Sequence, residues 1–411
     1  MTAWRRQLPV HSPLDARAVF AGFRAITARN GAQERWEARV GALLQERYAA
    51  RTVLLTESGT AALTATLLGV LQDRAGGAPA PIALPAYACY DVATAADGAG
   101  VPVFLYDVNP GSLDPDLTQV ETALRHGARA IVVAHLYGCP VDLTAVNALA
   151  AAAGAVVIED AAQAAGASVN GHLAGSQASL TVLSFGRGKG LTGGSGGAVL
   201  AIDETGERIL DRVRRQHTLT KGRRGWSELA GLTAQWLFQH PSLYAIPAAL
   251  PMFHLGETIY RAPRPLRAPA AVSCPVIAAT WAAADQELNV RRHNAARLLE
   301  ELRQQPAFRT VKTPTAARAG YLRLPVLASP LARHAAGGPA ARNLGVMPGY
   351  PRALCDLEPF ARRCVNRGAA FPGSRLLVER LCTFPTHGRL AARDLAGLER
   401  WIWEWGRHEA A

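Results

Sequence analysis

Apolar residues in the first half of the chain fall into short runs separated by roughly the length of one helix. Runs at 52–55, 81–85, 101–105, 130–134 and 155–160 each predict a short strand buried on both faces. Between them, Leu63, Leu67, Leu68 and Leu71 share one helical face, and 90–98 and 143–153 read as further helices. Ahead of the first strand, 14–49 predicts two helices, with Ala18, Phe20 and Phe23 on the apolar face of one and Val40, Leu43 and Leu44 on that of the other. Strands alternating with helices at this spacing predict an α/β fold with a mainly parallel sheet covered on both faces. Such sheets gather ligands at the carboxyl ends of their strands, where Ser58-Gly59-Thr60 and Asp160 fall.

The second half changes character. From 228 to 260 the chain is apolar and aromatic, with Trp236, Phe238, Tyr244, Pro247, Pro251 and Phe253. Gln239, His240 and Pro241 interrupt it too often for a bilayer span. It reads as a helical hairpin buried in the fold or at a dimer contact, or as an interfacial patch or lid. After a Pro- and Arg-rich connector (261–269) come a long helix at 274–303, a strand at 320–327 and an amphipathic helix at 394–405. These suggest a large domain over 1–269 and a smaller α+β domain over 270–411.

Composition narrows the partners. The chain has 411 residues, 49% hydrophobic and 18% charged, with a formal charge of +12 from 44 Lys and Arg against 32 Asp and Glu. A basic balance can attract anions. However, the densest cluster, Arg212-Val213-Arg214-Arg215 with Arg223-Arg224, lacks interleaved aromatics, so no nucleic-acid partner is expected. The six cysteines contain no Cys-x-x-Cys pair and no zinc-like spacing, so no metal is expected. The N-terminal residues carry no apolar signal region, and free thiols in the cytoplasm are the expectation.

Only three lysines occur, and one, Lys189, lies in the glycine-rich stretch Gly186-Arg187-Gly188-Lys189-Gly190-Leu191-Thr192-Gly193-Gly194. Arginine would match its charge but cannot act as an amine nucleophile. A nucleotide-binding phosphate loop would need Gly at position 183 and Ser or Thr at 190; Leu183 and Gly190 stand there instead. Pyridoxal phosphate chemistry needs an amine to bond the cofactor aldehyde, a carboxylate for the pyridine nitrogen and a phosphate cradle at a helix start. Lys189, Asp160 (29 residues earlier) and Ser58-Gly59-Thr60-Ala61-Ala62-Leu63 supply these in order. A strand-end Asp is commonly a helix cap, and a Ser-Gly-Thr turn is common too. The order and spacing carry the argument.

With these residues in place, the chain resembles the DegT/DnrJ/EryC1/StrS family of sugar aminotransferases. The resemblance runs through Leu84-Pro85-Ala86-Tyr87, His135-Leu136-Tyr137-Gly138, Ile158-Glu159-Asp160-Ala161-Ala162-Gln163, Ser184-Phe185, Lys189-Gly190-Leu191-Thr192 and Phe384-Pro385-Thr386-His387-Gly388. It implies a fold type I architecture with a seven-stranded, mainly parallel sheet and a homodimer. It further implies Lys189 as Schiff-base lysine and proton carrier, Asp160 at the pyridine nitrogen, and Gln163 against the ring's phenolic oxygen. Ser58, Gly59, Thr60 and Ser184 would hold the phosphate. The position the family gives to a ring-stacking aromatic holds Cys89, with Tyr87 and Tyr90 as the neighbouring alternatives. The family segment that reaches a partner's phosphate has no counterpart, and the 228–260 insert lies in its place.

The implied reaction is amino transfer from an amino acid, glutamate by expectation, to a small-molecule keto substrate, a nucleotide-linked keto sugar first. The insert keeps an apolar or carrier-bound carbonyl in view, with interfacial membrane contact as a further use for it. A non-catalytic binding protein with a basic surface is the reading from another class.

Overall fold

The computed structural model describes residues 5–28, 31–71, 80–217, 219–220, 222, 225–250 and 258–407. The Arg223-Arg224 pair and the part of the insert with Pro251 and Phe253 lie outside the described residues. In chain order the first strands are β1 (Thr52–Thr56), β2 (Ile82–Pro85), β3 (Val103–Tyr106), β4 (Ala130–Ala134) and β5 (Val156–Asp160). A small hairpin, β6 (Ser168–Val169) and β7 (His172–Leu173), precedes β8 (Leu180–Ser184) and β9 (Gly197–Ala201). Seven of them form one sheet in the order β1-β9-β8-β5-β4-β2-β3. Only β9 runs against the rest, antiparallel to both β1 and β8.

Alternation along the central strands feeds two cores, because successive side chains point to opposite faces. Leu180 and Val182 of β8, with Val199 and Ala201 of β9, join the core under α3 (Gly59–Leu71) and α4 (Tyr90–Ala99). Leu183, Ala198 and Leu200 join the opposite one, with Val40 and Leu44 of α2 (Ala32–Tyr48). The helix ahead of α2, α1 (Ala16–Thr27), differs from expectation. Its buried side is Ala18 and Gly22, while Phe20 and Phe23 are 60% and 45% exposed. Gly22 explains this, since a Cβ there would stand 2.6 Å from Val272 Cγ2, so only the smallest residues face inward.

α5 (Leu117–Arg125), α6 (Thr144–Ala153) and α7 (Glu204–Gln216) complete the layers around the sheet. The insert forms two helices, α8 (Trp226–Phe238) and α9 (Pro241–Ala248). Leu229 and Leu232 are buried, whereas Trp226, Leu237, Leu243 and Ile246 are exposed. No described helix is long and apolar enough to cross a membrane.

The 31-residue α10 (Ser273–Arg303) leads to the C-terminal elements. These are β10 (Phe308–Thr310), β11 (Ala317–Arg318), β12 (Leu324–Ala328), α11 (Pro330–Ala336), α12 (Pro339–Asn343), β13 (Met347–Pro348), α13 (Pro372–Arg380), β14 (Leu381–Phe384) and α14 (Ala392–Gly406). A second sheet has the order β10-β12-β14-β13, over a core that includes Phe308, Phe384 and Trp401. The strand expected at 320–327 starts only at Leu324, because Tyr321 adopts a left-handed φ of 43° and turns the chain. Tyr350, Leu354, Phe360 and Leu377 return to the core of the large sheet.

Candidate active site

The lysine loop leaves the sheet at Ser184 and re-enters at Gly197, residues paired across β8 and β9. Its excursion is therefore anchored at one point. Gly188 takes a φ of 79°, and a Cβ there would stand 3.0 Å from Val10 Cγ1, so glycine is needed directly before the lysine. Lys189 is half-buried, and its amine makes no hydrogen bond or ion pair among the described residues.

Beside this loop, α3 begins at Gly59, with Ser58 capping it through Ala61 N–H (3.1 Å). A Cβ on Gly59 would fall 2.7 Å from Ser184 Cβ, so the helix start and the end of β8 touch only because position 59 is glycine. The Ser184 hydroxyl has no hydrogen-bond partner among the described residues, and Thr60 lies half-buried in the first turn. Asp160 ends β5, and its Oδ1 accepts from Ala162 N–H at 3.1 Å. Burial pushes its pKa up, opposed by that hydrogen bond and by the charge of Lys189. One residue earlier, Glu159 is sealed in the core, accepting from His135 Nε2–H (2.7 Å) and from the main chain at Gly175 and Gln177. Val141 N–H donates to His135 Nδ1, which fixes that tautomer.

A cleft of about 560 Å³ opens at Lys189 and is walled by Tyr137, Gln163, Arg323 and Tyr350, with Thr258 and Ile259 from the far end of the insert. Gln163 donates to the Tyr350 hydroxyl (2.7 Å) and accepts from Tyr137 N–H (2.8 Å). Tyr87 lies in the core with its hydroxyl 3.0 Å from that of Tyr137 and bonded by Tyr350 N–H. Tyr90 is also buried. Cys89, half-buried, stands at the N-cap of α4. Burial pushes its thiol up to about 12, and the charges of Asp91, Lys189 and Asp160 act on it. The structure therefore brings Lys189, Asp160, Gln163 and Cys89 into one neighbourhood and sets Ser58, Gly59, Thr60 and Ser184 at the adjoining strand ends. Tyr87 and Tyr90 stand in the wall behind.

Sequence reasoning missed the N-terminal strap at residues 5–14. Ser12 Oγ accepts from Gly188 N–H (2.9 Å) and donates to the Lys189 carbonyl (3.1 Å), holding the lysine from both sides. The strap is in turn bound by the C-terminal elements, through Arg5 on Asp394, Gln7 N–H on Asn343 O and His387 Nε2–H on Leu8 O (2.9 Å). Ser12→Ala leaves two part-buried main-chain groups, Gly188 N–H and Lys189 C=O, without this partner. It is expected to lower Tm by a few degrees, from about 1–3 kcal/mol, and to shift the pH at which any lysine-linked absorbance titrates. A stability loss without that shift would reduce Ser12 to a structural bolt.

His387 makes the same joint pH-sensitive. Burial, and then the nearby Arg291, Arg323 and Arg389, lower its pKa to about 4, and His11, 5.9 Å away ring to ring, is lowered too. Between about pH 6.5 and 4 the unfolded chain binds more protons at this site than the folded one. Stability present at neutral pH is therefore lost on acidification, by about 3 kcal/mol from His387. Thermal melts across that window should show the loss, and His387→Gln should remove the His387 share of it and leave that of His11.

A mainly parallel seven-stranded sheet with a lysine loop, a strand-end aspartate and a glycine-built helix start at its carboxyl edge defines the fold type I class of pyridoxal-phosphate proteins. The model of the DegT/DnrJ/EryC1/StrS aminotransferase family matches residues 25–236, and the chain belongs to that family. Among curated relatives, the chain is 37% identical over 152 residues to an L-glutamine:2-deoxy-scyllo-inosose aminotransferase of Streptomyces kanamyceticus, covering 37% of this chain and 35% of that one. It is 33% identical over 157 residues to a UDP-N-acetyl-3-dehydro-alpha-D-glucosamine 3-aminotransferase of Acidithiobacillus ferrooxidans, covering 38% and 42%. These matches span well under half of the relatives' lengths. Among solved structures, Helicobacter pylori PseC, an aminotransferase involved in the biosynthesis of pseudoaminic acid, superposes with a TM-score of 0.74 at 15% identity, covering 98% of both chains.

The residues present fit pyridoxal phosphate. The Gly59–Ser184 approach is a cradle that a Cβ would fill, beside a hydroxyl without a partner and a helix N-terminus suited to an anion. Asp160 keeps one oxygen without a hydrogen bond, and the Lys189 amine is unpaired. No group of acidic, histidine or cysteine side chains among the described residues could hold a metal ion.

Proposed function

We propose that the chain is a pyridoxal-phosphate-dependent aminotransferase that moves an amino group from an amino acid, glutamate or glutamine, to the keto group of a sugar or cyclitol. The observation that carries this reading is the convergence of Lys189, Asp160 and the Gly59–Ser184 cradle at the carboxyl edge of one sheet. When bound, the cofactor supplies an electron-withdrawing ring that stabilises negative charge on the substrate carbon. Ser184, Gly59 and Thr60 bind the phosphate. Asp160 holds a proton at the ring nitrogen. Lys189 Nζ takes the proton from the carbon bearing the amine, with the loop held in place by Ser12. Gln163 and Tyr350 brace the adjoining wall.

The test is the visible absorbance of the purified protein, followed by amino transfer from each donor to a keto cyclitol and to nucleotide-linked keto sugars. A colourless protein that takes up no cofactor and transfers nothing favours the non-catalytic alternative. Ile259 at the cleft supports a second reading, an apolar or carrier-bound carbonyl acceptor, and the same assay with such ketones separates the two.

The exposed Phe20, Phe23, Trp226, Leu243 and Ile246 suit a homodimer contact, or contact with a membrane surface. The division at 269/270, just ahead of α10, is offered as the domain boundary, and the cytoplasm as the place of action.

A further inference from the structure

We propose that Arg291 is the positioning residue for Lys189, acting through the N-terminal strap. The inference rests on the aminotransferase reading and deepens it by naming what sets the place of the reacting amine. The Lys189 side chain makes no hydrogen bond or ion pair among the described residues, so its place is set through the main chain of residues 188–190. Ser12 clamps two of those groups, Gly188 N–H and Lys189 C=O. A serine outside any helix or strand is only as fixed as its neighbours. The carbonyl of the residue before it, His11, accepts from Arg291 Nη2 at 2.6 Å.

α10 follows the lysine loop along its length. The Ser273 and Ser195 hydroxyls are 2.8 Å apart, and Thr280 Oγ1 lies 2.9 Å from Thr192 O. Two turns and more further on, Arg291 reaches Gly190, where a Cβ would stand 3.0 Å from its Nη1. Arg291 therefore meets the loop directly at the residue after Lys189, and through His11 and Ser12 at the residue before it.

The guanidinium is buried, and its Nε is sealed from solvent without a hydrogen-bond partner among the described residues. Glu287 Oε1, one turn earlier on α10, lies 3.5 Å from that Nε and accepts from Gly388 N–H at 3.0 Å. The pair thus ties α10, the strap, the lysine loop and the C-terminal turn together. Burial disfavours the charge of Arg291, and Glu287 opposes that. Well-packed apolar side chains often stabilise as well as a buried ion pair does. What they lack is a rigid fork of donors that can hold the His11 carbonyl while lying flat against a glycine.

The experiment compares the full-length wild type with Arg291→Met, Arg291→Lys, Ser12→Ala and the double variant Ser12→Ala/Arg291→Met. In the cofactor-free protein, amide hydrogen exchange at Gly188 should quicken about tenfold or more in Arg291→Met. In holoenzyme, cofactor absorbance is followed while L-glutamate or L-glutamine is added without acceptor. The maximal rate of conversion should fall about ten- to hundredfold in Arg291→Met, the scale of misplacing a reacting group by about 1 Å. The half-saturating donor concentration should change less than about threefold. Arg291→Lys, which keeps the charge without the fork, should fall between Met and wild type. In the double variant the loss should be well short of the product of the two single losses, because both residues act through one contact. If Arg291→Met does not fold with Glu287 left unpaired, Arg291→Met/Glu287→Gln, which keeps an acceptor for Gly388 N–H, takes its place with the same expectations. A wild-type maximal rate, a loss confined to donor affinity, or a double loss equal to the product of the single ones overturns the proposal. Wild-type holoenzyme that responds to no amino acid overturns the aminotransferase reading itself, and this inference with it.

Discussion

Lys189→Ala is expected to give a folded protein with no measurable turnover and no lysine-linked absorbance. The fold should survive because the lysine side chain makes no hydrogen bond or ion pair to be lost. The loop is held by main-chain contacts instead: Lys189 N–H on Gly186 O, and Ser12 Oγ on Gly188 N–H and Lys189 O. A half-buried side chain of this kind should cost about 1 kcal/mol or less on truncation. Activity should fall far more, since removing a positioned proton carrier alone costs about 10²–10⁴-fold, and the amine proposed to bond the cofactor goes with it. Lys189→Arg separates the charge of the residue from its amine chemistry. It keeps the positive charge but no deprotonatable amine, and it should be as inactive as alanine. Substantial turnover in either variant would sink the assignment of Lys189.

Much of the large sheet could be read from the chain because its signals are local. The run at 130–134 coincides with β4, and that at 155–160 matches β5 within one residue, since each contains a continuous apolar stretch, Ala130–Ala134 and Ala155–Ile158, that faces both sides of the sheet. The helix expected at 274–303 is α10 with one more residue at its start. Asp160 and Lys189 stand out as candidates because a strand-end carboxylate and a lysine in a glycine-rich loop are both local signals, although the β6–β7 hairpin and β8 lie between them. Other features had no local signal. Ser12 meets Lys189 across 177 positions, and no periodicity marks a single serine in a Pro-flanked strap. Arg323 and Tyr350 reach the cleft only because the C-terminal chain folds back on the large core. Phe20 and Phe23 mimic an apolar helix face, yet tight packing at Gly22 turns that face outward. The insert was visible as an apolar stretch, but not its contact with the lysine loop, where Leu232 packs against Gly194 so closely that a Cβ would stand 2.5 Å away.

Asp160→Asn is expected to separate function from stability in opposite directions. The amide is isosteric, and its oxygen can still accept from Ala162 N–H, so β5 and its His135–Glu159 buttress should be unaffected. What disappears is a negative charge held where burial disfavours it. A carboxyl whose folded pKa is raised binds more protons folded than unfolded. The cofactor-free wild type therefore loses stability as pH rises from the unfolded value near 3.9 through the folded one. Asn removes that loss. Cofactor-free Asp160→Asn should accordingly melt higher than wild type at neutral pH, and the gain should vanish in acid, where both are uncharged. With cofactor, the role proposed for Asp160 reverses the order in function: without a carboxylate for the ring nitrogen, kcat should fall about 10²–10³-fold, the scale of losing one preorganised electrostatic partner. A structural aspartate acting only as a turn cap would give the opposite pair of results, a lower melting temperature and near-normal turnover. Melts of the cofactor-free proteins across pH, with kcat of the loaded ones, decide between the two roles.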